Sequence, residues 1–107
     1  MTAIPKLLTH IWIGPRPAPL DWMKTWCDFH PDWEYQLIDN AYVAKTKFKN
    51  QIQINEYLRR SEFAGAADLI RYEVLRERGG LMPEADSICV RNTDELLGFK
   101  HQVQRLI

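Results

Sequence analysis

Residues Lys6 to Ile13 are apolar and β-branched at their centre, and Gly14-Pro15 interrupts them, which predicts a buried strand ending in a loop. From Leu20 to His30, after a Pro-rich loop, Trp22, Met23, Trp26, Cys27 and Phe29 recur at helical spacing until Pro31, the pattern of an amphipathic helix. Glu34 to Ile38 reads as a second short strand closed by Asp39-Asn40. Strand, helix and strand in this order predict a βαβ unit with a parallel sheet.

The next stretch, Ala41 to Arg60, is ambiguous: QIQIN alternates like a strand, whereas EYLRR and the Lys-rich residues before it read as helix. Ser61 is a candidate cap for a helix from Glu62 to Arg78, with Arg76 and Arg78 in its last turn and Gly79-Gly80 as terminator. Phe63, Ala67, Ile70 and Val74 fall on one stripe and predict its core face, with Ala64, Asp68, Arg71 and Leu75 on the neighbouring stripe. Leu81-Met82 predicts a short strand, Glu84-Ala85-Asp86 sits at its end, and Ser87 to Arg91 resumes an extended pattern. Asn92 or Thr93 caps a predicted helical tail to Ile107. The sum is a single α/β domain over 1–107, an open, mainly parallel sheet flanked by helices. Ligands of such sheets bind outside the carboxyl ends of the strands, which places Trp12 and the acidic turn on one rim.

Composition narrows the function classes. A hydrophobic fraction of 46% supports one core, and 14 Lys and Arg against 14 Asp and Glu leave none of the basic excess that a nucleic-acid binder needs. Cys27 and Cys89 belong to no CxxC or Cys/His cluster, so we expect reduced thiols. The amino-terminal residues lack a long apolar leader and no window is apolar enough for a membrane span, so the expected location is the cytoplasm.

Several side chains have both a structural and a chemical reading. Glu84 and Asp86, two apart, share one side of an extended chain and suit a hard divalent cation, but also occur in solvated turns. Asp68 and Arg71, three apart on a helix, form either a surface ion pair or a pair of ligand contacts, Asp68 to sugar hydroxyls and Arg71 to a phosphate. Trp12 is either core or a stacking ring for a base, and His10 reads as a satisfied core histidine.

Four segments, IPKLLTHIWIG, HPDWEYQLID, AADLIRYEVLRERGG and LMPEADS leading into SICVR, cover residues 4–97 and together resemble the DXD-motif sugar-nucleotide glycosyltransferases of family 32, which have a GT-A fold. The most specific part is the Ala-Asp-x-x-Arg helix that ends in Gly-Gly and runs directly into a strand and an acidic pair. The resemblance implies a GT-A-like domain whose Ile11, Trp12, Ile13 and Gly14 hold a nucleotide base, with Trp12 stacking. It implies that Asp68 and Arg71 hold the donor sugar and its phosphate side, that Glu84 and Ala85 complete the donor site, and that Asp86, with Glu84, holds Mn²⁺ or Mg²⁺. Asp68, Arg71 and Asp86 are then the catalytic candidates. The implied reaction is retaining transfer from a UDP-sugar to a saccharide or protein acceptor, and the alternative is an inactive or hydrolysis-only binding module. Met82, Pro83 and Glu84 depart from the family's Tyr-x-Asp before the last acid. The family's longer catalytic domains also imply an apolar rim here, suited to a homo-oligomer.

Overall fold

A computed structural model describes residues 4–94. In chain order these form β1 (Leu7–Ile11), α1 (Leu20–Phe29), β2 (Glu34–Ile38), α2 (Asn40–Lys45), α3 (Gln51–Arg59) and α4 (Phe63–Arg78). β1 and β2 are parallel, with Leu7 opposite Glu34 and Ile11 opposite Ile38, so the predicted βαβ unit is present. Leu81 runs parallel on the other side of β1, donating to the Leu7 carbonyl at 2.8 Å and accepting from Thr9 at 2.9 Å. β1 is therefore central, and Leu7, Leu8, Thr9 and His10 are all buried, as expected for a parallel strand covered on both faces.

The two faces carry separate clusters. Ile38, Val43, Phe48, Ile54, Ala66, Ile70, Val74 and Met82 form the larger, beneath α2, α3 and α4. Leu8, Trp33 and Leu81 form the smaller, closed by Trp26 of α1. His10 lies on this second side, its Nδ1 2.9 Å from the Tyr35 hydroxyl and its ring edge-on to Trp26. Nε2 of His10 is buried with no partner, so the histidine expected to be satisfied is satisfied at one nitrogen only. Burial lowers its pKa to about 4 and pushes Tyr35 up to about 12, because each charged form would lose its hydration.

One ambiguity is resolved and two local expectations are corrected. QIQIN is the start of α3, which buries Ile54 and leaves Ile52 in solvent; a strand on the same alternation would have put both on one face. Ser61 does not cap α4. It has a φ of 58° and ends α3, where Ser61 donates to the Leu58 carbonyl at 3.0 Å and Glu62 to the Tyr57 carbonyl at 2.8 Å, the two bonds of a Schellman closure. The buried stripe of α4 is Ala66, Ile70, Glu73 and Val74, with Phe63 and Ala67 only half-buried. Glu73 faces inward because its carboxylate accepts from the backbone of Lys49 at 2.5 Å and of Asn50 at 3.4 Å, at the uncapped start of α3.

After α4 the chain turns through Gly79 and Gly80 at positive φ. A Cβ on Gly80 would collide with the Leu7 carbonyl, so only glycine lets the chain approach β1 this closely. The expected Leu81-Met82 strand is reduced to the single Leu81 bridge, and Ser87 to Arg91 forms no strand. That segment instead lies along α1, Cys89 donating to Thr25 Oγ1 at 2.8 Å and Trp26 Nε1 to the Ser87 carbonyl at 3.1 Å. Asn92 Oδ1 accepts from the Asp94 backbone at 2.6 Å, as a cap would, and the helix expected beyond it lies outside the described residues.

Candidate functional site

The carboxyl ends of β1 and β2 open onto a loop that side chains hold in shape. Trp12 continues the ladder, its backbone donating to the Ile38 carbonyl at 2.9 Å. Gly14, at φ 108°, is held by Asn40, whose Oδ1 accepts from the glycine N–H and whose Nδ2 donates to its carbonyl, both at 2.8 Å. The loop then curls back so that Trp12 Nε1 donates to the Arg16 carbonyl at 2.9 Å, which fixes the indole.

Between this loop and the first turn of α4 is a cavity of about 760 Å³, walled by Trp12, Ile13, Phe63 and Gly65 and edged by Arg16 and Glu62. The walls are mainly apolar with charge at the edge, the chemistry of a pocket for a flat ring with polar substituents. A Cβ on Gly14 would stand 3.1 Å from the Phe63 ring, so the loop glycine and the aromatic are in close apposition. Ile11 lies below, half-buried against the larger core cluster.

α4 carries the remaining candidates away from the cavity. Asp68 follows Gly65 by three residues and Ala64 by four, on the same helix face, and is exposed. It does not pair with Arg71. Arg71 instead turns to the acidic segment, donating from Nη1 to the Met82 carbonyl at 3.0 Å and from Nη2 to Glu84 Oε1 at 3.3 Å. The Arg71 side chain is largely buried while Glu84 is largely exposed.

Glu84 and Asp86 do not share one side of an extended chain. The backbone turns at Ala85 and Asp86, with the Glu84 carbonyl accepting from Ser87 N at 3.2 Å and from Ser87 Oγ at 2.5 Å. Ala85 is buried at this turn and Asp86 is exposed. Among the described residues no three metal-ligating side chains cluster, and the Glu84 carboxylate is engaged by Arg71. The donor set therefore suits a hard cation that takes one carboxylate from the protein and completes its shell with ligand phosphate oxygens and water, as Mg²⁺-type sites commonly do. It does not suit a cation held by protein groups alone.

The structure thus joins Trp12 and Ile13 at one cavity, sets Gly14 against Phe63, and joins Arg71 to Glu84, with Asp68 along the helix between the two groups. The sequence pattern did not single out Phe63, Arg16 or Glu62 as site residues. Phe63 fits the apolar stripe of α4 equally well, and only its position in the first turn, beside the rim, distinguishes it.

Residues 20–102 match the family described as a glycosyltransferase sugar-binding region containing the DXD motif. Over 110 residues the chain is 31% identical to inositol phosphoceramide mannosyltransferase 3 of Schizosaccharomyces pombe, an alignment that takes in 96% of this chain and 30% of that protein. The structure of PaToxG glycosyltransferase superposes with a TM-score of 0.66 at 19% identity, over 86% of this chain and 46% of that one. The chain spans under a third of the curated relative and about half of the solved one. The structural likeness identifies the fold as GT-A type.

Proposed function

Because the chain belongs to the family of glycosyltransferase sugar-binding regions containing the DXD motif, we propose that its rim binds a nucleotide-sugar donor and serves metal-dependent transfer from it, with a UDP-sugar as donor. The observation that carries this reading is the order of groups along α4: an apolar cavity with two aromatic walls at its first turn, an exposed carboxylate at Asp68, then Arg71 tied to the acidic turn. A nucleotide sugar has the same order of parts, a flat base, hydroxyl-bearing rings and a diphosphate.

In this reading Trp12, Ile13 and Phe63 enclose the base, and Gly14 leaves room for it. Asp68 accepts from sugar hydroxyls, and Arg71 orients the acidic turn and faces the phosphate side. Asp86 would hold Mn²⁺ or Mg²⁺, whose charge would stabilise a departing diphosphate, while Glu84 stays paired with Arg71. The chain as a whole has no net basic excess to take over that task. Retention follows from transfer on one face: the C1–oxygen bond to the diphosphate breaks, the acceptor oxygen bonds C1 on the same side, and the acceptor proton passes to the departing diphosphate oxygen. No protein base is then needed. The acceptor is a saccharide or a protein, and the named activity of the fission-yeast relative makes mannose a sugar to test.

The second reading, a module that binds the donor but only hydrolyses it or leaves it intact, is favoured by Arg71 occupying the Glu84 carboxylate. Free thiols at Cys27 and Cys89 support a reducing, cytoplasmic location. Exposed Leu20, Trp22, Ile88 and Val90 support self-association into a homo-oligomer.

Calorimetric titration of UDP, UDP-glucose and GDP-mannose with Mn²⁺ and then with EDTA tests the donor site. Binding of one nucleotide, lost with EDTA and accompanied by a change in tryptophan fluorescence, is expected. Absence of binding by all three overturns the reading, and release of free sugar without acceptor separates hydrolysis from transfer.

A further inference from the structure

The charges of this neutral chain are unevenly placed. Between Ala41 and Arg60 there are five basic residues, Lys45, Lys47, Lys49, Arg59 and Arg60, against one acid, Glu56. Glu56 is shared by Arg59 at 2.6 Å and Arg60 at 2.9 Å, so a single carboxylate stands against two guanidinium groups. Lys45 and Lys47 form no ion pair among the described residues and border one shallow depression with Gln51 and Asn55. Lys49 reaches Glu77 only at 3.9 Å, with both side chains in solvent, which neutralises it little. Ile52, one residue beyond Gln51 on α3, is 82% exposed.

We propose that the segment from α2 to α3 docks on an anionic lipid bilayer, with Lys45, Lys47 and Lys49 at the headgroups and Ile52 as the apolar insertion. Lysines beside an exposed aliphatic side chain meet both requirements of such a surface, attraction to negative headgroups and a small apolar anchor. A nucleic-acid backbone would use the lysines and leave Ile52 without a role. Both ends of this segment reach the candidate site: α2 begins at Asn40, which clamps Gly14, and Ser61, two residues past the end of α3, borders the cavity. Since α3 is roughly 14 Å long, docking through its first turn would hold the cavity within about that distance of the bilayer surface. The proposal does not depend on what the site transfers.

Flotation of the full chain with phosphatidylcholine vesicles, with and without phosphatidylserine, tests it. Binding is expected only with phosphatidylserine and is expected to fall as salt rises. Lys45→Gln with Lys47→Gln is expected to weaken it about 25-fold, about fivefold for each lysine, and Ile52→Ser on the order of tenfold. Lys24→Gln, on α1 across the sheet, is expected to bind as the parent does. All three variants lie on the surface, and an unchanged melting temperature confirms their fold. Equal binding to neutral vesicles, equal loss with Lys24→Gln, no effect of Ile52→Ser, or displacement of bound chain by a short DNA duplex at matched phosphate concentration would each overturn the proposal.

Discussion

Arg71 holds Glu84 at 3.3 Å while its second terminal nitrogen holds the Met82 carbonyl at 3.0 Å, so one side chain of α4 joins the helix to both sides of Pro83. Glu84 is exposed, and the ion pair alone is worth no more than about 1 kcal/mol. The bond to Met82 contributes more, since Arg71 is largely buried and its loss leaves a carbonyl without a donor. Arg71→Ala is expected to cost about 1–3 kcal/mol of stability in urea denaturation. It is also expected to weaken donor binding at least about tenfold by calorimetry. Unchanged affinity would remove Arg71 from the site.

Asp86 is exposed, and its substitution should leave the fold alone. Asp86→Asn is expected to abolish the metal dependence of donor binding while stability stays within about 0.5 kcal/mol of the parent. Titration with Mn²⁺ and with EDTA measures the first, thermal melting the second. A variant that keeps its metal dependence would exclude Asp86 as the ligand.

Phe63 lines the cavity together with Trp12. Its removal is expected to weaken nucleotide binding about tenfold, the scale of one base stacked on one ring. The Trp12 fluorescence response should persist in Phe63→Ala at saturating nucleotide, because the Arg16 carbonyl still holds the indole. Affinity equal to the parent would return Phe63 to a purely structural role.

His10 makes stability depend on pH in a definite direction. Burial lowers its pKa from 6.5 to about 4, so between these values the unfolded chain binds a proton that the folded chain does not. The contribution of neutral His10 is complete above pH 6.5 and is lost as pH falls toward about 4. It amounts to about 3 kcal/mol at most. Urea midpoints measured across that window are expected to fall with pH, and less steeply in His10→Gln. Parallel profiles would assign the dependence to other groups.

Much of the fold was readable because several signals agreed in each element. β1 had its apolar run and Gly14-Pro15, α1 its periodicity and Pro31, and α4 its spacing and Gly-Gly end. Misreadings arose where one pattern fits two structures. Ile52 and Ile54 stand two apart, as strand neighbours do, and the Schellman closure at Ser61 with burial of Ile54 alone settles the helix. The alternation of Ser87 to Arg91 is real, with Cys89 buried between exposed Ile88 and Val90, but α1 side chains occupy the place of a pairing strand. Trp12 and Asp86 are candidates that the resemblance alone offers. The cavity was not legible, because the opposition of Phe63 to Gly14 is a distance across the fold, which periodicity along one helix does not encode.

The Asn40 carboxamide offers Gly14 one donor and one acceptor, as a neighbouring peptide unit would in a sheet. A side chain thus supplies one more rung where the strands have ended, and the corner is set before any ligand arrives. The entrance beside Trp12 behaves as a mould rather than a flap, and what enters it meets walls already in position, with little ordering left to cost affinity.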